Sequence, residues 1–150
     1  MIFNEAQYQT LRALVDRLIP PDDYPGAWDA GVGEYLTGQL VGDLAPLQTV
    51  FLTGLDALDA EARSLEDHPF YALELDAQDD LLRRIEAGVV MTDWPLSPQR
   101  FLSLLIHHTA EGYYADPGNG GNRDARSWQM IGFVLNEQPG RTSQEAILNP

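Results

Sequence analysis

Apolar residues near the start of the chain recur at the spacing of one face of a helix. Asn4 can cap this helix, with Gln7 three residues later as its capping-box partner. The apolar positions that follow are Tyr8, Leu11, Leu14, Val15, Leu18 and Ile19. Pro20 and Pro21 end the pattern, so the stretch 20–31 (PPDDYPGAWDAG) is expected to form a rigid polar loop, in which Asp22 and Asp23 serve as turn formers or caps.

Two further helices are predicted in the next third of the chain. A short one covers about 32–41. A longer one opens at Asp43 or Ala45, with Pro46 tolerated in its first turn. Its buried stripe is predicted to be Leu47, Val50, Phe51, Leu55, Leu58 and Leu65.

A fourth helix is predicted over about 76–87, with a wet outer face. Asp79 and Arg83 are spaced as an i,i+4 ion pair, and so are Asp80 and Arg84. Gly88 is a natural stop for this helix.

The last long helix begins at Ser97, a cap residue, followed by Pro98 in the first turn. Its sequence is apolar nearly all round, which predicts the central and most enclosed helix, running to about Tyr113. A short helical turn is expected over about 125–131, and 136–150 reads as a polar tail. Because no alternating strand pattern appears, the prediction is an all-α fold: one compact domain over 1–150, with a core at about 5–135, about five helices and two long ordered loops.

Composition narrows the function classes. The chain has 23 acidic residues against 9 arginines and no lysine, a net charge of −14, which disfavours nucleic-acid and anionic-membrane partners. It contains no cysteine, and no stretch is long and apolar enough for direct membrane insertion. With no export signal visible at the N-terminus, we expect a cytoplasmic protein; co-translocation to the periplasm with a partner is the alternative.

Candidate catalytic residues are sparse. His107 and Glu111 share a helix face, whereas His108 is expected to point about 100° away, so we predict no metal site and packing or surface roles for both histidines. The alternative is a stand-alone metal-dependent enzyme using His107, Glu111 and Asp116. The serines lack an elbow sequence, and no catalytic set is predicted.

The segment 112–133 (GYYADPGNGGNRDARSWQMIGF) stands out from the rest of the chain. Its glycines fit neither a dinucleotide fingerprint, since Arg123 stands where a third glycine is needed, nor a phosphate loop. Its aromatic and arginine residues are types enriched at protein interfaces. They are Tyr113, Tyr114, Arg123, Arg126, Trp128 and Met130. A loop packed back on its own bundle, with Trp128 in the core, is the other interpretation.

Two blocks of sequence resemble a known family. The first comprises Ile19-Pro20, Pro25-Gly26-Ala27 and Ala30-Gly31-Val32. The second comprises Gly112-Tyr113-Tyr114-Ala115-Asp116-Pro117, Gly120-Gly121-Asn122-Arg123, Trp128 and Ile131-Gly132-Phe133. Together, over about 5–135, they are similar to the gluconate 2-dehydrogenase subunit 3 family, and the second block is the more specific.

The resemblance implies a small, cofactor-free, non-catalytic subunit that binds and stabilises a large oxidoreductase subunit of the glucose–methanol–choline (GMC) type. That partner would carry FAD and the chemistry, and in some complexes a multihaem cytochrome c subunit takes the electrons. A free-standing structural or regulatory helical protein is the remaining alternative.

On this interpretation 112–133 docks onto the flavoprotein. Tyr113, Tyr114 and Trp128 are apolar anchors, Arg123 makes a fork contact to a carboxylate or carbonyl, and Asp116 and Asn122 brace the loop. The Pro25-Gly26-Ala27 loop is expected beside it. The predicted partner-binding set is Tyr113, Tyr114, Asp116, Pro117, Gly120, Gly121, Asn122, Arg123, Trp128, Pro25 and Gly26.

Overall fold

A computed structural model describes residues 2–115 of the chain. In this range the elements are α1 (Glu5–Leu18), α2 (Val32–Val41), α3 (Gln48–Glu66), α4 (Leu75–Glu86) and α5 (Pro98–Tyr113). Two short 3-10 helices, Ala45–Leu47 and Phe70–Ala72, precede α3 and α4. These 114 residues contain no strand, and the all-α prediction is confirmed. The turn predicted over 125–131 and the tail 136–150 lie outside the described residues.

The helix starts follow from local side-chain chemistry. Asn4 Oδ1 accepts a 2.8 Å hydrogen bond from the Gln7 backbone N–H, and Gln7 Oε1 accepts one of 2.9 Å from the Asn4 N–H. This is the predicted capping box, which satisfies two otherwise unpaired donors. At α5, Ser97 Oγ accepts from the Arg100 N–H at 3.2 Å, as its sequence predicts.

The long helix α3, in the second third of the chain, starts later than predicted. The 3-10 turn Ala45–Leu47 contains Pro46, and the α-helix begins only at Gln48. Proline has no N–H for a helical bond, so a tight turn before the helix accommodates it. The buried face predicted for this helix also extends too far, because Leu65, near the end of α3, is 38 % exposed.

The core forms around α5, which packs against all four of the other α-helices. Phe101 and Leu105 on α5 belong to one buried hydrophobic cluster with residues of α1, α2, α3 and α4. The outer face of α5 is open, however, with Ile106 at 48 % exposure. The predicted central position of α5 is therefore confirmed, although within residues 2–115 one of its faces carries exposed side chains.

The predicted ion pairs on α4 are wrong. Asp79 instead pairs with Arg17 of α1 through two parallel hydrogen bonds, Nε to Oδ1 at 2.8 Å and Nη2 to Oδ2 at 2.9 Å. Arg83 pairs with Asp80, three residues away. Packing of α1 against α4 brings Arg17 to Asp79, and helix spacing alone cannot reveal that contact. Gly88 does end the α4 region, with φ of +77°.

Candidate functional site

The end of α5 and the loop 20–31 are joined by one long-range hydrogen bond. The Tyr113 hydroxyl donates to the Pro25 carbonyl oxygen at 2.9 Å. Tyr113 is 1 % exposed, and its burial raises the pKa of its phenol, which keeps the hydroxyl a neutral donor. We call this contact the Tyr113 junction. It confirms the expectation that the Pro25-Gly26-Ala27 loop lies beside the start of 112–133.

The loop itself is held by α1. Asp16 Oδ1 accepts a 2.9 Å hydrogen bond from the Trp28 backbone N–H, and the Ala27 N–H donates to the Ile19 carbonyl oxygen at 2.9 Å. A side chain at Gly26 would place its Cβ 2.8 Å from Asp16 Oδ1, so only glycine allows this close approach. Burial raises the pKa of Asp16 despite the Trp28 hydrogen bond.

The junction changes the roles expected for two of the predicted partner-binding residues. Tyr113 and Gly26 are both buried. They therefore support the surface from within and do not form part of it. Tyr113 was expected to be an apolar anchor, but its aromatic ring completes the chain's own core. Tyr114 differs: it is 45 % exposed, and its ring meets the Tyr113 ring edge-on at 5.1 Å.

Of the other predicted partner-binding residues, the structure describes Pro25 alone. Pro25 is half-buried at the junction. Seven others lie outside the described residues, and their roles stay predictions: Asp116, Pro117, Gly120, Gly121, Asn122, Arg123 and Trp128.

An aromatic cleft lies on the other side of the loop 20–31. Trp28 packs edge-on against Tyr8 at 5.0 Å, and the Arg12 guanidinium lies 5.6 Å from the centre of the Trp28 ring. The Trp28 ring also lies directly on the backbone of Gly33, where a Cβ would clash with it. Asp29 and Glu34 complete the walls. The cleft therefore depends on a glycine that admits the indole.

A cluster of polar side chains lies on the last two turns of α5. His107 Nε2 is 3.0 Å from Glu111 Oε1, and His108 Nδ1 is 2.8 Å from Glu111 Oε2. The expectation that His108 points away from Glu111 is wrong, because its side chain turns back across the i,i+3 spacing. Burial, and then the negative charge of the Glu111 carboxylate, raise the pKa of Tyr35.

An apolar groove runs between α1, α4 and α5. Ile106 lies on its α5 side, Leu18 and Ile19 on its α1 side, and the Arg17–Asp79 pair at its edge. Since Ile106 is 48 % exposed, this groove offers apolar surface beside a fixed ion pair.

None of the helices in residues 2–115 combines the length and apolarity that crossing a membrane requires.

Sequence reasoning missed the most heavily hydrogen-bonded carboxylate of the described residues. Glu61 is 0 % exposed and accepts hydrogen bonds from the Met91 N–H, the Thr92 N–H and hydroxyl, and the Trp94 indole N–H, at 2.6 to 3.1 Å. Burial alone would raise the pKa of Glu61, but these donors outweigh it and the pKa is lowered. A sequence signal existed, since Glu61 stands three residues after Leu58 on the apolar face of α3.

Comparison with known proteins bears on the identity of this scaffold. Searches of curated proteins and of solved structures gave no significant match. The profile of the family described as gluconate 2-dehydrogenase subunit 3 matches residues 5–134. That range contains the loop 20–31, the Tyr113 junction and the helical core. The chain therefore belongs to the gluconate 2-dehydrogenase subunit 3 family.

Proposed function

We propose that this chain is a non-catalytic accessory subunit that binds and stabilises a large FAD-dependent oxidoreductase subunit of the GMC type. Family membership indicates that the chain is a subunit associated with a dehydrogenase complex. The proposal adds the role of the small subunit and the class of its partner.

The observation that carries the proposal is the pairing of a buried and an exposed tyrosine at the end of α5. Tyr113 fixes the helix end to the loop 20–31, while Tyr114 is 45 % exposed directly beside it. Aromatic residues on a rigid support lose little entropy on binding and are frequent interface hot spots. In this proposal Tyr114 is an anchor for the partner.

Two hydrogen-bonded carboxylates, the half-buried Asp16 and the buried Glu61, support a structural role for this chain. Asp16 holds the backbone of Trp28, and Glu61 holds the loop that contains Met91, Thr92 and Trp94. Hydrogen bonds to backbone N–H groups engage these oxygens, whereas a general acid or base needs an oxygen directed at a substrate. In the proposed complex, FAD and the oxidation of a sugar or polyol belong to the large subunit, and a cytochrome c subunit receives electrons where one is present.

The test is co-expression with a candidate large subunit, a GMC-type flavoprotein from the same organism, followed by size-exclusion chromatography. We expect a yellow complex containing both chains. Tyr114→Ala should weaken the complex by about 2 kcal/mol or more, roughly 30-fold in Kd. Tyr71→Ala is the matched control, because Tyr71 is a similarly exposed tyrosine, at 43 %, on the 3-10 helix before α4.

Two results would contradict the proposal. The first is a colourless chain that elutes alone while the flavoprotein folds and works without it. The second is equal loss of affinity in the Tyr114 and Tyr71 variants, which would move the interface away from the end of α5.

A further inference from the structure

We propose that His107, His108 and Glu111 form a binding site for one first-row divalent transition ion, such as Zn²⁺. This inference is independent of the proposed partner, because it depends on side chains of this chain alone. It also departs from the sequence expectation, which counted only His107 and Glu111 as sharing a face of the helix.

The geometry brings three ligands of suitable type together. One nitrogen of each imidazole and one oxygen of the carboxylate all lie within 4.8 Å of one another. His107 Nε2 and His108 Nδ1 both point at Glu111, one at each carboxylate oxygen. Two imidazoles and one carboxylate are a set that Zn²⁺, Co²⁺ and Fe²⁺ accept, with the remaining positions left to water.

Only small movements are needed to admit the ion. Ligands that are each about 2.1 Å from a tetrahedral ion lie about 3.4 Å apart. The two nitrogens now lie 3.0 and 2.8 Å from different oxygens of Glu111, and the three ligand atoms lie within 4.8 Å of one another, so the short separations would open by about 0.5 Å and the widest would close by up to about 1.4 Å. The His107 side chain is 66 % exposed and can rotate, whereas that of His108 is 9 % exposed and supplies a fixed point.

The surroundings favour a cation. The cluster occupies the last two turns of α5, where the helix dipole places partial negative charge. The whole chain carries a net charge of −14, which raises the local concentration of cations.

A neighbouring aromatic ring packs beside the cluster. The ring of Tyr35 on α2 lies against the backbone of Gly112, next to Glu111, where an added Cβ would come within 2.6 Å of it. The glycine therefore lets α2 pack closely against α5 beside the proposed site.

The test is titration of metal-free, tag-free full-length protein with Zn²⁺ by calorimetry. The chain has three histidines and no cysteine, so few competing nitrogen or sulfur ligands exist. We expect one Zn²⁺ per chain and at least tenfold weaker binding in His107→Ala and in Glu111→Gln. His68→Ala removes the remaining histidine and should bind Zn²⁺ as the wild type does.

Histidine ¹⁵N NMR gives a second readout that does not depend on affinity. Zn²⁺ should shift the signals of His107 Nε2 and His108 Nδ1 and leave those of His68 unchanged. Equal Zn²⁺ affinity in wild type and His107→Ala, an equal loss in His68→Ala, binding of Mg²⁺ as tight as that of Zn²⁺, or no saturable binding would each overturn the inference. Mg²⁺ prefers oxygen ligands, so equal affinity would report only the acidic surface.

Discussion

The hydroxyl of Tyr113 donates a hydrogen bond to the carbonyl oxygen of Pro25, across 88 positions of sequence. This contact joins the two sequence blocks that identify the family at a single point. Tyr113 is buried and fixes the end of the helix, whereas the adjacent Tyr114 is exposed at the surface.

Replacing Tyr113 by Phe should lower the free energy of unfolding by about 1–2 kcal/mol. The ring and its packing remain, but the Pro25 carbonyl oxygen loses its donor in a partly buried place. Urea unfolding followed by circular dichroism measures the change. Tyr71→Phe, at an exposed tyrosine, is the control and should stay within about 0.5 kcal/mol of wild type. Equal stability of the Tyr113 variant and wild type would show that water or another donor replaces the contact.

Glu61→Gln should be among the more damaging conservative changes. A carboxylate offers two acceptor oxygens to the four donors around it, whereas an amide offers one oxygen and an NH₂ group that would face N–H donors. We expect a loss of about 2–3 kcal/mol in the free energy of unfolding. Glu66→Gln, at an exposed position on the same helix, is the matched control. Similar losses in the two variants would remove the special role assigned to Glu61.

Glu61 also predicts a pH dependence of stability. Its pKa is lowered in the folded protein from an ordinary value of 4.5, so the unfolded chain binds a proton more readily. The stabilisation from Glu61 is therefore present above pH 4.5 and is lost as the pH falls through the lower folded pKa. Urea midpoints measured from pH 7 down to pH 3 should fall more steeply for wild type than for Glu61→Gln. Parallel curves would contradict this assignment.

The sequence predicted what depends on neighbours along the chain. The capping box at Asn4, the cap at Ser97 and the glycine stop at position 88 are local, and each is found where expected. The start of α3 was misplaced because Pro46 fits a 3-10 turn as well as a first helical turn.

Contacts between distant segments were beyond sequence reasoning. Nothing in the spacing of α4 indicates that Asp79 turns to Arg17 on α1, whereas His108 and Glu111 of α5 have the i,i+3 spacing of helix neighbours and only their rotamers were open. Those outcomes depend on how helices pack and which rotamer a side chain adopts. The position of the Pro25 loop beside Tyr113 was an expectation that the sequence could not establish, because no spacing rule relates residues 88 positions apart.

The Arg17–Asp79 pair should contribute more than the other ion pair on α4. Its side chains are only 16 % and 29 % exposed and its two hydrogen bonds are parallel, whereas Arg83 and Asp80 are both 72 % exposed. Double-mutant cycles with alanine should give a coupling energy of about 1–2 kcal/mol for Arg17–Asp79 and below about 0.5 kcal/mol for Arg83–Asp80. Adding 0.5 M NaCl should weaken only the exposed pair appreciably. Equal couplings would mean that the two-bond geometry adds nothing.

Two helical glycines should respond in opposite directions to alanine. A Cβ at Gly54 on α3 would collide with the Phe101 ring of α5, whereas one at Gly38 on α2 meets no atom within 4 Å. Gly54→Ala should therefore destabilise by about 1–3 kcal/mol through overpacking. Gly38→Ala should stabilise by about 0.5–1 kcal/mol, because alanine is the better helix former. Thermal and urea unfolding of both variants measure this difference. If Gly54→Ala were neutral, α3 and α5 could separate without loss, and the close approach of these helices would not be a determinant of the core.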